Sequence, residues 1–324
     1  MMRVLVTGAA GFLGRHLVGA LLREGHTVVG VDNFITSDRA DLAPLAATPG
    51  FQFAEVDITD PAFRHYAARF AFDQVYNLAC PTGVPNNGPL ALEMLTTSYE
   101  GSKAALEIAR ANGAPTLVTS SAEVYGNPKV VPQPETYHGD VDTLGGRKGY
   151  ENGKRVAETL YGIYAERFGV PAKIVRVFNT YGPGLCLDDT RVIPAFVRAS
   201  LEGRPLLIHG AGLQTRCYTY VDDMVAGLRL VMERGAPARP YNIGSEIPVS
   251  VRDLATEIVR LTGGAGEVRH IERPSHDHDT HMPDTTRVRT ELGWAMTVGL
   301  EAGLRATIRD FEQRLGLAAV ERVA

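Results

Sequence analysis

Short apolar runs alternate with amphipathic stretches through the first half of the chain. Residues 4–7, 27–32, 51–56 and 75–79 are mostly apolar over four to six positions, and 116–120 carries an apolar centre between hydroxyl residues, the length of a strand buried on both faces. Between them, 12–23 and 90–112 space their apolar residues three or four apart, as a helix with one buried face does. Strands of this kind separated by helices predict an α/β fold of Rossmann type, a doubly wound parallel sheet with helices on both faces. The second half is patchier. Helices are expected over 150–168, 192–201, 222–234 and 251–261, and strands over 172–177, 206–209 and 268–271. They predict a smaller α/β lobe that begins near the Gly182-Pro183-Gly184 loop.

Composition narrows the class. At 324 residues, 44% hydrophobic and 22% charged, the chain matches an ordinary globular protein of one large unit with a smaller partner. A net charge of -4 with no basic stripe argues against a nucleic-acid partner. No apolar run reaches the roughly 20 residues of a membrane span. The start, Arg3-Val4-Leu5-Val6-Thr7, reads as a first strand rather than a signal peptide. Three cysteines, Cys80, Cys186 and Cys217, stand in no paired spacing, which argues against a disulfide framework and fits a reducing cytoplasm.

The sharpest local signal is Thr7-Gly8-Ala9-Ala10-Gly11-Phe12-Leu13-Gly14, which follows the first strand and opens a helix. In that context Gly8 permits a tight turn, Gly11 lets backbone approach a pyrophosphate, and Gly14 allows close packing of helix on strand. The helix start then offers free N–H groups and partial positive charge to phosphates. Asp32 ends the second strand some twenty residues later, where a carboxylate binds ribose hydroxyls and repels the extra phosphate of NADP. NAD is therefore the expected cofactor, with Arg39 the one nearby residue that argues the other way. Asp57 and Ile58, after the third strand, are placed to flank the adenine.

Tyr150 and Lys154 are four apart on a predicted helix, so their side chains share a face. An ammonium beside a phenol favours the phenolate and is expected to bring its pKa down from about 10, making Tyr150 a general base for a substrate hydroxyl. Tyr99 and Lys103 repeat the spacing, but mid-helix and away from any strand end. The Thr119-Ser120-Ser121-Ala122-Glu123-Val124-Tyr125-Gly126 segment places hydroxyls at the carboxyl edge of the sheet, where ligands bind in such folds. Ser121 is expected to share a hydrogen bond with Tyr150 and the reacting hydroxyl. Glu123 is either a second acid–base group or an acceptor for loop N–H groups.

Several longer runs carry a family resemblance: Asp32-Asn33-Phe34, Tyr76-Asn77-Leu78-Ala79-Cys80-Pro81, Gly149-Tyr150-Glu151-Asn152-Gly153-Lys154-Arg155, Phe178-Asn179-Thr180-Tyr181-Gly182-Pro183, and Gln214-Thr215-Arg216 followed by Tyr220-Val221-Asp222-Asp223. Together they resemble the extended short-chain dehydrogenase/reductase family of nucleotide-sugar epimerases, dehydratases and decarboxylases, and within it the UDP-glucuronate decarboxylases. The likeness spans roughly residues 3–315 and is densest from 75 to 225. It implies an NAD-binding Rossmann domain over 1–178, with a segment near 215–245 returning to it, and a nucleotide-sugar-binding domain over 179–324. Asn33, Phe34, Leu78 and Ala79 would adjoin NAD; Asn179, Arg191 and Arg216 would contact the nucleotide sugar.

The implied chemistry opens with loss of hydride from the sugar C4 to NAD+ while Tyr150 takes the hydroxyl proton. The ketone makes a C6 carboxylate a β-keto acid, which loses carbon dioxide before the hydride is returned. A keto sugar that instead turns over gives a 4-epimer. Glu123 favours the first outcome. Ala122 favours the second, because it stands where dehydratases carry an aspartate and the decarboxylases a serine. Thr96 and Met282 lie where those decarboxylases carry a lysine and an arginine, and the 82–89 loop also differs. The family's helix pairing further implies a homodimer built on the apolar stripes of 90–112 and 150–168.

Three other readings carry less. His276, His278 and His281 with Asp277, Asp279 and Asp284 match no zinc spacing, so 274–283 is expected to be a solvated loop and no metal is expected. A non-catalytic NAD-binding scaffold would have no reason to keep both Tyr150 and Lys154. A reductase using free NADPH would prefer a base at position 32.

Overall fold

The computed structural model describes residues 1–264, 267–272 and 280–317. Its larger part runs β1 (Arg3–Thr7), α1 (Phe12–Arg23), β2 (Thr27–Asp32), α2 (Arg39–Ala46), β3 (Phe51–Glu55), α3 (Pro61–Ala67), β4 (Gln74–Asn77), α4 (Ala91–Thr96), α5 (Ser102–Asn112), β5 (Thr116–Ser121), α6 (Lys148–Phe168) and β6 (Ala172–Val177). These six strands and a seventh, Pro240–Ile243, form one sheet in the order Pro240–Ile243, β6, β5, β4, β1, β2, β3, and every pairing is parallel. The Rossmann-type doubly wound sheet expected from the sequence is present. The order reverses between β1 and β4, and a ligand cleft opens at the carboxyl ends of strands beside such a switch.

Three apolar clusters hold this frame. On one face, Leu17, Val18 and Leu21 of α1 meet Met224, Leu228 and Val231 of the Val221–Arg234 helix. On the other, Phe63, Leu106, Tyr161 and Tyr164 pack over Leu5, Val29 and Val75. The smaller lobe gathers Phe196, Val197, Leu254, Ile258, Leu304, Ile308 and Phe311. Each such fully buried side chain contributes about 1.5–3 kcal/mol of transfer free energy, enough for the clusters to fix the relative positions of the helices.

The structure corrects three sequence expectations. The single helix over 90–112 is broken by a π turn, Thr97–Gly101. A Cβ on Gly101 would sit 2.3 Å from Ile58 Cδ1, so the chain is pressed against the end of β3 there, and the extra residue lets Ser98 turn inward beside Cys80. The strand Pro240–Ile243 and the helices Thr286–Leu292 and Leu300–Arg314 were not anticipated. Finally, the 274–283 segment is not solvated throughout. Residues 273–279, with His276, Asp277, His278 and Asp279, lie outside the described residues. Thr280–His281, however, forms a strand parallel to Thr215–Cys217, and His281 is only 6% exposed. Backbone pairing to a strand distant in sequence buries it, which no local pattern reveals.

Candidate active site

The first turns of α6 set the centre of the site. Gly149 faces α4 and Gly153 the π turn after it, where a Cβ would stand 2.3 Å from the Ala91 carbonyl oxygen and 2.8 Å from Ser98 Oγ respectively. Only glycine permits that approach, and it turns Tyr150 and Lys154 toward the end of β5. Lys154 is buried, its Nζ donates to the Thr119 carbonyl at 2.8 Å, and it stands 5.5 Å from the centre of the Tyr150 ring. The Ser121 hydroxyl lies near the Tyr150 phenol and favours its ionised form; its Oγ accepts from the Glu123 N–H at 3.2 Å.

Here the expected pKa direction is wrong. Burial pushes the Tyr150 phenol up, and the opposing pull of Lys154 and Ser121 does not reverse it, with Cys80 and Glu123 adding to the rise. Desolvation disfavours the phenolate more than one ammonium restores it.

Beyond Tyr150 the wall is charged. Arg147 donates to Glu123 Oε2 at 2.8 Å. Behind that wall the buried Glu151 has its carboxyl pushed up to about 7, chiefly by burial and then by repulsion from Glu123. Ala122 also faces the cavity, leaving room where an acid or hydroxyl would otherwise stand. Arg147 and His281 were missed from the sequence, although both line the site.

On the other side, the glycine turn fits a dinucleotide. Gly8 has φ +68° and no space for a Cβ, which would lie 2.8 Å from the Ala79 nitrogen. A Cβ on Gly14 would meet the Gly8 carbonyl oxygen at 2.0 Å, so the helix rests directly on the turn. No side chain caps α1 and no acid sits in its first turn, which leaves its N–H groups available to phosphate oxygens. Asp32 is held in place by the Ala10 N–H (3.0 Å), the Phe34 N–H (2.9 Å) and the Ser37 hydroxyl (3.1 Å). Its carboxylate keeps lone pairs for ribose hydroxyls. Asp57 accepts from Asn33 at 2.8 Å.

One cavity, of about 520 Å³, runs from this turn to Tyr150; it is lined by Gly8, Gly11, Phe12, Leu13, Gly14, Asp32, Asn33, Asp57, Ile58, Leu78, Ala79, Ser121, Glu123, Tyr150, Lys154, Asn179 and Arg191. Phe34 is the exception among the expected cofactor contacts. Its ring packs against Phe53 and beneath Arg39, so it acts through its backbone hold on Asp32. Arg39 pairs with Glu55 instead. A second cavity, of about 670 Å³, adjoins the first at Glu123, Arg147, Asn179 and His281, and takes in Arg191, Arg216 and Tyr218. Arg191 is held by Asp189. Tyr99 and Lys103 lie at the surface.

Comparison with known proteins matches this geometry. The model of the NAD dependent epimerase/dehydratase family fits residues 4–244. The chain belongs to this family. It is an enzyme, and its cofactor is NAD. Among curated relatives, UDP-glucuronic acid decarboxylase 5 of Arabidopsis thaliana is 38% identical over 98% of this chain and 91% of its own length. UDP-glucuronic acid decarboxylase 1 of Xenopus tropicalis is 36% identical over 97% of this chain and 73% of its own. Among solved structures, the UDP-glucuronic acid 4-epimerase of Bacillus cereus, in complex with UDP-glucuronic acid and NAD, superposes with a TM-score of 0.86 at 28% identity, covering 97% of this chain and all of that one. Among the described residues, no helix is long and apolar enough to cross a membrane, and no group of three metal-ligating side chains gathers.

Proposed function

We propose that this enzyme converts UDP-glucuronate to a UDP-pentose and carbon dioxide through a transient 4-ketone. The observation that carries the reading is the Tyr150–Ser121–Lys154 cluster at the end of β5, with the Glu123–Arg147 pair beside it. Relatives named as decarboxylases, aligned over almost the whole chain, support the choice of reaction. We divide the chain into an NAD-binding part, 1–178 joined by a return near 215–245, and a nucleotide-sugar-binding part over 179–324.

The chemistry that NAD supplies when bound, in the cradle of Gly8 to Gly14 and against Asp32, is reversible hydride acceptance at the sugar C4. The rest falls to side chains. Tyr150 Oη accepts the C4 hydroxyl proton, and the Ser121 hydroxyl holds that oxygen in line. Lys154 keeps positive charge near the phenol, against the cost of burial. Asn179, Arg191 and Arg216 bind the nucleotide sugar. Once the ketone exists, the electron pair of the C5–C6 bond flows to the carbonyl oxygen as carbon dioxide leaves, and the protonated Tyr150 donates a hydrogen bond to that oxygen. Glu123, held by Arg147, is the second acid–base group at that end of the sugar. A proton taken up at C5, with Glu123 the neighbouring acid–base group, restores the 4-ketone. Return of the hydride to C4, with the Tyr150 proton to O4, closes the cycle.

Epimerisation at C4 is the second reading, favoured by the room beside Ala122. Incubation of the protein with NAD+ and UDP-glucuronate, followed by NMR, separates them. A pentose with carbon dioxide is the expected result; UDP-galacturonate alone would replace it with the epimerase reading.

We also infer a homodimer in the cytoplasm. Leu92 (71% exposed), Leu95 and Tyr99 near α4, and Ile163 and Phe168 on α6, leave apolar side chains at the surface, consistent with a helix-pair seam. The three cysteines are free, which suits a reducing compartment.

A further inference from the structure

His281 is built into the site from two directions. Its strand pairs with Thr215–Cys217, and there it stands in register with Arg216. From the opposite side its Nε2 meets the Gly126 carbonyl at 3.1 Å. Gly126 ends the turn that begins with Ser121 and Glu123, and this turn cannot readily shift. Gly126 has φ +59°, and a Cβ there would stand 2.1 Å from the Asp140 carbonyl oxygen. One buried imidazole therefore ties the substrate-side strand carrying Arg216 to the sheet edge carrying Ser121 and Glu123. It also lines both cavities where they join. Burial pushes its pKa down; Glu123 and the Gly126 carbonyl oppose this, while Arg216 and Arg147 add to it. A neutral ring donating Nε2–H to Gly126 satisfies the hydrogen bond without adding a third cation beside two guanidinium groups.

We propose that His281 is a positioning residue: it fixes the Arg216 strand against the Glu123 turn, so that the keto sugar is held in one orientation while its carboxylate carbon leaves. The inference rests on the decarboxylation reading of the same site. It follows that loosening this tie gives the ketone room to turn and be reduced on its other face, and less of it reaches carbon dioxide loss.

The test uses His281→Ala and His281→Asn in the full chain. Binding of UDP and of NAD+ is measured by calorimetry, melting is followed optically, and products from UDP-glucuronate are resolved by NMR. His281→Ala is expected to bind UDP and NAD+ within about threefold of the wild type. It should turn over roughly 30-fold more slowly and release a larger share of the 4-epimer, since ångström-scale misplacement of reacting groups costs up to about a hundredfold. His281→Asn, whose amide N–H can donate to Gly126, should recover most of the rate and the product ratio. An alanine variant with unchanged rate and product ratio overturns the proposal. So does parallel loss of melting temperature, UDP binding and rate without rescue by asparagine, because that marks a merely structural residue. If the wild type itself yields only the epimer, the decarboxylation reading falls, and with it the claim that His281 sets the product ratio. A slowed alanine variant with intact UDP and NAD+ binding still supports positioning in that case.

Discussion

Two segments of this chain carry the same pattern, and the fold gives them different surroundings. Tyr99-Glu100-Gly101-Ser102-Lys103 spans the π turn and the start of α5, while Tyr150-Glu151-Asn152-Gly153-Lys154 lies in the first turns of α6. Tyr99 is 42% exposed and Lys103 faces solvent. Lys154 is buried and bonded to the Thr119 carbonyl, and Tyr150 stands near the Ser121 hydroxyl. Spacing of four residues puts a phenol and an ammonium on one helical face in both places. What differs is the strand end opposite. The lesson is that the pair becomes chemistry only where close helix packing, here through Gly149 and Gly153, presses it onto the carboxyl edge of a parallel sheet.

Breaking each member of the two pairs in turn sharpens the contrast. The largest effect is expected at the phenols. Tyr150→Phe should lower kcat about 10³-fold, as loss of a general base does, while leaving NAD bound. Tyr99→Phe should change it less than about twofold, like other surface substitutions. Steady-state kinetics on both variants checks this, and a Tyr150→Phe enzyme retaining a tenth of wild-type kcat would remove the assigned base.

The lysines come next. Because the Lys154 ammonium lowers the pKa of a phenol that burial has raised, Lys154→Met should raise that pKa further. The acid limb of the kcat/KM profile should move to higher pH by about one unit, with a rate loss of about 10²-fold at neutral pH. Lys103→Met should leave the profile where it is. A pH–rate series that does not move in Lys154→Met would separate the lysine from the proton transfer.

The smallest effect is expected at the glutamates. The Glu151 carboxyl, raised to about 7 in the fold, ionises there less readily than in the unfolded chain. Its cost to stability is absent at low pH, grows as pH rises from the ordinary carboxylate range, and is complete above about 7. Glu151→Gln should therefore melt above the wild type at pH 8, by the equivalent of about 2 kcal/mol, and show little gain at pH 5. Glu100→Gln, at an exposed position, should show no gain at either pH.

The same contrast explains how much could be read before the fold was known. The cradle from Gly8 to Gly14 and the carboxylate of Asp32 were legible, because a tight turn, a free helix start and a ribose acceptor are encoded within neighbouring residues. Tyr150, Lys154, Ser121 and Glu123 were legible as candidates, since a strand end and a helix start frame them. The phenol's direction of shift was not, because desolvation depends on what surrounds the ring. Arg147 sits in a polar loop that looks unremarkable until α6 turns it onto Glu123. His281 sits in a run of histidines and aspartates that reads as solvated, and only pairing with Thr215–Cys217 brings it inside. Pro240–Ile243 is four residues led by a proline, too short to mark a strand until β6 is beside it.

A crystal structure of Tyr150→Phe with NAD+ and UDP-glucuronate bound tests the central claim most directly. The sugar C4 hydroxyl is expected between the residue-150 ring edge and the Ser121 hydroxyl, with the nicotinamide on the opposite face of C4. A C4 hydroxyl lying well beyond hydrogen-bond reach of both, more than about 3.5 Å from Ser121 Oγ and from the position of the missing phenol oxygen, would contradict it.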